Sequence, residues 1–135
     1  MDNAFTDEVR SKLWGHQRTA IENRLEQLDP DLARLVFEVA YDTVLARPDL
    51  DLKTRELLAV TALLSVGSES ELKTHMRGAM NCGATFDELK ESILQAAMFL
   101  GFPKALTGMR VLRSLQDKLE NAPHVETEQL GEDNP

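Results

Sequence analysis

The stretch LKTRELLAVTALLSVGSESELKTHMRG, residues 52–78, decides the fold because it joins two helix patterns of different kinds. After its charged first turn, the first half is apolar on nearly every side, which predicts a buried central helix. Gly67 is expected to end that helix. Ser68 and Glu71 then match the S-x-x-E capping box that opens a helix. The stretch therefore predicts two consecutive helices.

The second of these helices places a histidine among its apolar positions. A face at helical spacing contains Leu72, His75, Met76, Ala79 and Met80. Such a histidine is either a core residue whose hydrogen bonds are satisfied or a group that the fold buries because a reaction needs it. The local pattern leaves both interpretations of His75 open.

Helix patterns also precede this stretch, with neither strand alternation nor an internal repeat. A modestly amphipathic helix is predicted over about residues 6–28. A second begins at Asp29 and Pro30 and stops at Pro48. The predicted inner face of this second helix consists of Leu32, Leu35, Val36, Val39, Ala40, Thr43 and Val44.

Further helices are predicted after residue 83. Thr85 and Glu88 repeat the capping box and open one of them, and the motif GFP at 101–103 breaks the chain before a last helix that ends near residue 119. The sequence therefore predicts an all-α, single-domain helical bundle of five to six helices over residues 1–120.

Composition narrows the class of protein. The 135 residues are 42% hydrophobic, which suits one compact domain. The net charge is −8 and no segment concentrates the basic residues, which excludes nucleic acid and acidic membranes as partners. The acidic N-terminus resembles no signal peptide and no apolar run could span a bilayer, which predicts a soluble cytoplasmic protein. Residues 121–135 are acidic and are predicted to be a disordered tail.

Cys82 is the only cysteine, which excludes an internal disulfide, a C-x-x-C redox pair and a cysteine-based zinc site. It is interpreted as a core thiol near a helix end. Glu71 and His75 lie four residues apart on one helix face, a spacing that could hold a metal ion. The other histidines, His16 and His124, fall in the first helix and the tail, so no metal site is predicted.

Glu56 is a carboxylate at an early position of the central helix, where apolar residues dominate. If that helix packs antiparallel against the next one, Glu56 could hydrogen-bond His75, fix its tautomer and make it a general acid or base. Alternatively, Glu56 is solvated in the first helical turn or paired with Lys53 or Arg55. The residue pattern favours neither interpretation.

The run KTRELLAVTALLSVGSESELKTHMRGAMNCGATFDELKESILQAAMFLGFPKAL resembles the carboxymuconolactone decarboxylase and alkylhydroperoxidase D superfamily over residues 50–113. The decarboxylase branch has a KTRELL-type helix start, a G-x-E-H-E-L stretch, an L-H-x-R-A-A-L-N-x-G-x-T run and a final E-x-L-x-x-x-x-x-Y-x-G-x-P. The resemblance implies a bundle of the alkylhydroperoxidase D-like type. The positions that fit are 53–58, Glu69, Glu71, Leu72, His75, Arg77, Ala79, Asn81, Gly83, Thr85, Glu88, Gly101 and Pro103.

The peroxidase branch of the same superfamily carries a glutamate, a C-x-x-C pair and a following histidine that relays protons to the thiols. Glu56 and His75 occupy the glutamate and histidine positions, whereas Ser68 and Glu71 occupy the two cysteine positions. The resemblance therefore implies the proton relay without its thiols. Peroxide reduction by dithiol chemistry is excluded on this basis.

The decarboxylase branch implies decarboxylation of an unsaturated lactone acid in aromatic-compound catabolism, without a metal or an organic cofactor. His75 is assigned as the catalytic proton donor, with Glu56 orienting it and Glu71 as a third catalytic residue near the cavity. The predicted substrate contacts are Ser68, Ser70, Arg77, Gln95 and Phe99, with Arg55 as an alternative anion partner to Arg77.

Two departures from the decarboxylase pattern favour an alternative function. Ser70 stands where a histidine is expected and Phe99 where a tyrosine is expected. The alternative is a non-catalytic or divergent oligomeric protein that binds a small molecule. A third interpretation is an antioxidant activity of the peroxidase type without C-x-x-C, or one that borrows Cys82 between subunits. We expect a homo-oligomer, with a hexamer favoured by analogy, and a small carboxylate or lactone as the ligand.

Overall fold

The computed structural model describes residues 4–122, so residues 1–3 and nearly all of the predicted acidic tail, 123–135, lie outside the described range. No strand occurs between residues 4 and 122, which confirms the all-α prediction. The elements are α1 (Ala4–Trp14), a 3₁₀ turn (Gly15–Gln17), α2 (Arg18–Leu28), α3 (Pro30–Leu35), a π-helical segment (Val36–Leu45), α4 (Leu52–Val66), α5 (Glu69–Asn81), α6 (Phe86–Leu100) and α7 (Phe102–Glu120).

The junction between α4 and α5 has the predicted boundaries because each boundary residue suits its backbone conformation. The Asp51 side chain caps α4 by accepting a hydrogen bond from Thr54 N at 2.7 Å. Gly67 ends α4 in the left-handed region at φ +71°, where residues with a Cβ are strained. Ser68 then caps α5 by accepting a 3.4 Å hydrogen bond from Glu71 N.

The two S/T-x-x-E motifs are not equivalent in the structure. At α6, Thr85 accepts from Glu88 N and the Glu88 carboxylate accepts from Thr85 N, which completes the capping box. At α5, Ser68 makes only the first of these two bonds. The predicted box is therefore half formed there, and the Glu71 carboxylate is free to face elsewhere.

Helices α4 to α7 enclose the larger hydrophobic core, to which each contributes buried side chains. α7 passes so close to α4 at Gly108 that a Cβ there would overlap a methyl group of Leu64. The predicted core positions of α5 are confirmed for Leu72, Met76 and Ala79, which are buried. The buried residues of α6 are Leu89, Ile93, Ala96 and Ala97.

A smaller core joins α1 and α2 to the π-helical segment. An ion pair at its edge places Arg10 Nε 3.4 Å from Asp42 Oδ1. Asn81 Nδ2 donates a 2.8 Å hydrogen bond to the carbonyl of Leu13, which ties α1 to the end of α5. The buried centre of this core consists of Leu13, Trp14 and Tyr41.

The N-terminal half departs from the predicted helices. Gly15 adopts a φ of +54°, so the helix predicted over residues 6–28 divides into α1 and α2. The second predicted helix changes from α to π at Val36, and a π-helix bonds residues five apart instead of four. The face predicted from the α-helical period is therefore wrong in part. Ala33 and Tyr41 are buried, whereas Leu35, Val39 and Val44 are 49%, 53% and 47% exposed.

Large apolar side chains are exposed on α4, α6 and the start of α7, and together they are called the apolar patch. α4 buries only the stripe of Glu56, Val60 and Leu64, so the prediction of a helix buried on nearly all sides is wrong for a single chain. The patch consists of the exposed side chains of Leu58, Val66, Met98, Phe99 and Phe102.

Between residues 4 and 122 no helix combines the length and apolar character needed to cross a membrane.

Candidate functional site

The packing of α4 against α5 joins Glu56 to His75. Glu56 is only 1% exposed, and its Oε2 lies 2.9 Å from His75 Nδ1. The alternative partners of Glu56 are engaged elsewhere. Lys53 pairs with Glu88 at 2.9 Å, and the Arg55 guanidinium donates to the carbonyl oxygens of Leu50 and Arg47. The hydrogen-bonded pair is therefore the arrangement that the structure adopts.

This hydrogen bond fixes the tautomer and raises the basicity of His75. An ionised carboxylate only accepts hydrogen bonds, so Nδ1 is assigned as the donor and Nε2 is left for other contacts. Burial by itself would lower the pKa of His75. The hydrogen bond and the negative charge of Glu56, with a further contribution from Glu71, outweigh burial and raise that pKa above its ordinary value.

A close backbone approach at Gly78 makes room for the Glu56 carboxylate. A Cβ at residue 78 would lie 2.5 Å from Glu56 Oε2, the same oxygen that accepts from His75. Sequence reasoning missed this residue, although it is a glycine in the interior of a helix, where glycine costs stability and therefore calls for a packing reason.

The other carboxylate oxygen of Glu56, Oε1, is buried as well. It has no hydrogen-bond partner among the described residues. His75 is thus the described group that compensates this buried charge directly. Removing the imidazole would leave a carboxylate buried without a partner, which is among the costly changes in protein interiors.

His75 also lines a cavity of about 770 Å³ between α5 and the N-terminal helices. Ser70 and Glu71 line the same cavity from α5, and Tyr41 lines it from the π-helical segment. The His75 side chain is 18% exposed, so the imidazole is not sealed in the core. Glu56 lies behind the imidazole and does not line the cavity. The arrangement can deliver or accept a proton at a molecule held in this cavity.

Tyr41 is a cavity residue that the sequence reasoning missed. It is 7% exposed, and its ring centre lies 4.5 Å from that of Trp14. Burial above all, together with the charges of Glu56 and Glu71, raises the pKa of Tyr41 beyond its ordinary value and outweighs a hydrogen bond with Trp14. The phenol therefore keeps its proton and can donate it in a hydrogen bond. The sequence offered one indication of this role: Tyr41 is the only tyrosine and lies in a largely apolar segment.

The predicted substrate contacts do not share one cavity within the chain. Ser70 lies beside His75, whereas Ser68 is the cap of α5. Arg77 lines a second cavity, on the side of α5 that faces α7. Gln95 and Phe99 line a separate groove between α4 and α6. The structure therefore brings together Ser70, Glu71, His75 and Glu56 but not the remaining predicted contacts.

Cys82 lies at the end of α5 and packs against the smaller core. It is seven residues from His75, about 10 Å along the helix axis. Burial raises the pKa of its thiol, which disfavours the thiolate needed for redox chemistry. Among residues 4–122, no group of three or more His, Cys, Asp and Glu side chains could hold a metal ion.

Comparison with known proteins identifies relatives over most of the chain. The sequence profile of the carboxymuconolactone decarboxylase family matches residues 30–114. A 4-carboxymuconolactone decarboxylase from Acinetobacter baylyi is 35% identical over 118 residues, which cover 86% of this chain and 87% of the relative. A nitrosuccinic acid decarboxylase from Metarhizium robertsii is 33% identical over 108 residues, which cover 77% and 76%. An uncharacterized 15.0 kDa protein from Paracoccus denitrificans is 32% identical over 93 residues, which cover 67% and 69%.

Proposed function

Because the chain belongs to the carboxymuconolactone decarboxylase family, we propose that it is a carboxy-lyase acting on a small unsaturated lactone acid or a similarly activated acid. The observation that carries this proposal is the Glu56–His75 pair, a buried carboxylate hydrogen-bonded to an imidazole that lines a cavity. Such a pair supplies the proton that must replace the lost carboxylate.

The proposed reaction needs an electron sink in the substrate. The bond between the substrate carbon and its carboxylate breaks, carbon dioxide leaves, and the electron pair moves into a conjugated acceptor to form an enolate or its equivalent. His75, protonated at Nε2, then gives that proton to a carbon of this enolate, which restores the electron acceptor, and the imidazole is reprotonated from solvent. No organic cofactor is required, because the substrate itself holds the electrons.

Two further side chains support this chemistry from the walls of the cavity. Tyr41 keeps its proton and can donate a hydrogen bond to the oxygen on which negative charge develops. Glu71 helps to raise the pKa of His75 and so keeps the imidazole protonated. We therefore assign proton transfer to His75, oxygen stabilisation to Tyr41 and electrostatic support to Glu71.

The names of the two decarboxylase relatives suit this mechanism. A carboxymuconolactone carries a lactone carbonyl and nitrosuccinic acid carries a nitro group, and each group can accept the electron pair released with carbon dioxide. Both compounds also carry a second carboxyl group. We infer a substrate of the same class for this chain, with aromatic-compound catabolism as the proposed setting for the lactone.

The test is decarboxylation of 4-carboxymuconolactone in deuterated water, with carbon dioxide and the product measured together. We expect one deuterium on the product carbon for each carbon dioxide released, because the proton comes from an exchangeable imidazole. Glu71→Gln should lower the rate at alkaline pH, where His75 loses its proton, whereas Glu69→Gln is a control in the same turn of α5. Absence of turnover on this lactone and on nitrosuccinic acid would reject the proposal.

A second candidate function is favoured by Ser70, which puts a hydroxyl in the cavity where the resemblance expects an imidazole. In this case the chain binds the small acid without decarboxylating it. Quenching of the fluorescence of Trp14, the only tryptophan, by either acid without release of carbon dioxide would support this function. Turnover would exclude it.

We also propose that the chain forms a homo-oligomer, with a hexamer favoured by the resemblance. The apolar patch supports this proposal, because Met98, Phe99 and Phe102 are 75%, 79% and 76% exposed in one chain. A second copy of the same chain is the proposed occupant. Sedimentation equilibrium should report an assembly that Phe99→Glu dissociates, and a monomeric parent protein would contradict the proposal.

A further inference from the structure

A second cavity, of about 270 Å³, adjoins the His75 cavity and has three basic residues in its lining. Arg77 contributes from α5, Lys118 from α7 and His16 from the 3₁₀ turn, and no carboxylate of the described residues lines it. The chain as a whole has a net charge of −8. This cavity therefore has a charge opposite to that of its protein, which favours an anionic ligand.

The two permanent cations of this cavity form no ion pair with the part of the chain that the structure describes. Neither Arg77 nor Lys118 has a carboxylate partner within residues 4–122, whereas Lys53 and Arg113 pair with Glu88 and Asp117. Arg77 is nevertheless half-buried in the cavity wall. A half-buried guanidinium without a counterion is suited to hold a carboxylate through charge-assisted hydrogen bonds.

Apolar side chains form most of the remaining cavity wall, beside the polar Gln17, Thr74 and Asn81. Leu13, Met80 and Leu115 line it, and the 2.8 Å bond from Asn81 to the Leu13 carbonyl fixes this wall against α5. A free inorganic anion would leave such surface exposed to water. The combination suits an organic acid that has a carboxylate at one end and a carbon chain behind it.

The two cavities share a wall formed by Trp14, Ile21 and Thr74, each of which lines both. On α5, Thr74 and Arg77 are three residues apart and lie on one face, next to the face of Ser70, Glu71 and His75. The two cavities therefore adjoin at this wall, and a ligand that occupies both must pass Trp14.

We propose that the Arg77 cavity is a carboxylate subsite, which holds the non-reacting carboxylate of a dicarboxylic acid while the reacting carboxylate lies beside His75. The assignment of the reacting end rests on the proposed function, whereas carboxylate binding does not. Holding the two carboxylates in separate cavities has a chemical reason. The carboxylate that leaves as carbon dioxide gains little from strong binding, so binding energy is better supplied at the distant end.

Trp14 makes the proposal measurable because it is the only tryptophan and lies between the two cavities. The probes are unreactive dicarboxylates from succinate to suberate, each compared with the monocarboxylate of equal carbon number. We expect the dicarboxylate of matching length to bind the parent protein about tenfold more tightly than its monocarboxylate, the scale of one charged hydrogen bond.

The variant Arg77→Gln/Lys118→Gln should remove this tenfold preference and leave the monocarboxylate affinity nearly unchanged. Arg110→Gln is the control, because Arg110 is an exposed cation of α7 that lines neither cavity. Arg77→Lys with Lys118 intact keeps both positive charges and loses only the guanidinium. It should therefore retain part of the preference. Circular dichroism of each variant verifies the fold.

Three results would overturn the subsite: no dicarboxylate preference in the parent protein, a preference that survives in the double variant, or an equal loss in Arg110→Gln. If the double variant does not fold, the partial retention in Arg77→Lys decides in its place, and full loss or no change there counts against the subsite. A dicarboxylate preference without turnover would reject the proposed reaction alone. Turnover without the preference would reject the subsite alone.

Discussion

The half of the chain from α4 onward and the half before it differ in regularity and in what they bring to the candidate site. Helices α4, α5 and α6 each begin at a capping side chain and keep one helical period throughout. The earlier half contains the break at Gly15 and the ten-residue π-helical segment. The regular half holds the Glu56–His75 pair, whereas the irregular half supplies Trp14 and Tyr41 to the cavity wall.

This difference indicates that a regular pair of helices carries the chemical groups and an irregular segment forms part of the cavity wall. A buried hydrogen bond of 2.9 Å requires two rigid helices in fixed register, which capped and regular helices provide. A cavity wall needs only a suitable shape, and π-helical segments occur frequently at functional sites. We therefore expect substitutions in the regular half to change proton transfer and those in the irregular half to change how substrate oxygen atoms are held.

The largest expected effect comes from His75→Gln in the regular half. Glutamine can still donate a hydrogen bond to Glu56 but cannot transfer protons near neutral pH, so turnover of the lactone acid should fall roughly 10²- to 10⁴-fold. At pH values above the folded-state pKa of His75, the melting temperature and oligomeric state of the variant should be almost unchanged. A loss of about 1 to 3 kcal/mol in unfolding free energy with activity retained would instead identify His75 as a structural residue only.

Tyr41→Phe probes the irregular half and should have the next largest effect. The ring still packs on Trp14, but the donor to the developing negative charge is lost, so kcat should fall roughly 10²-fold. The KM should change little, because the bond strengthens only in the transition state. If KM rises while kcat is unchanged, Tyr41 merely binds the substrate.

Gly78→Ala tests whether the register of α4 and α5 controls His75. The new Cβ would meet Glu56 Oε2, displace the carboxylate and lower the pKa of His75 toward its ordinary value. We expect an approximately tenfold loss of turnover and a shift of the alkaline limb of the rate profile to lower pH. Gly108→Ala is the matched control: it disturbs Leu64 and lowers stability but should leave the pH profile in place.

Titration of His75 should have a smaller effect, which is seen in the pH dependence of the unfolding free energy. Because the folded-state pKa of His75 lies above its ordinary 6.5, the protonated imidazole stabilises the fold fully below that pH. The stabilisation is lost as pH rises through the folded-state pKa. Urea unfolding should show the advantage of the parent protein over His75→Gln shrinking with rising pH, by at most about 1.4 kcal/mol per pH unit. An advantage that grows with pH would contradict the assigned shift.

Cys82→Ser should have the smallest effect, because the thiol is part of the smaller core and its raised pKa disfavours the thiolate. Decarboxylation should be unchanged and unfolding free energy should shift by no more than about 1 kcal/mol. The parent protein should show no peroxide reduction with a dithiol donor. Robust reduction that disappears in the variant would point to a cysteine pair between subunits.

The regular half was predictable because its boundary residues act locally. Gly67 and Ser68 each decide a boundary through their own backbone or side chain, and α4 begins and ends where the sequence predicts. The Glu56–His75 bond was predictable only as one of two alternatives, because residues 19 apart meet through the packing of two helices. The resemblance pointed to the same pair, but packing alone determined the bond.

The irregular half was not predictable from a helical period. Switching from α to π at Val36 moves Tyr41 inward and Val39 outward, and nothing in the local residues indicates where the switch occurs. The predicted contacts Gln95 and Phe99 lie apart from the His75 cavity within the single chain. They line a groove between α4 and α6, a placement that depends on how these helices pack and not on the local residues.

The first turn of α5 leaves one capping bond unmade while Glu71 faces the cavity. A Glu71 carboxylate that folded back to accept from Ser68 N would stabilise the helix start by about 1 kcal/mol, but it would withdraw negative charge from His75. One orientation of the Glu71 side chain therefore favours stability, and the other favours activity. In a laboratory lineage selected only for heat resistance, activity should decline first through changes at this turn, while the hydrogen bond between Glu56 and His75 is still intact.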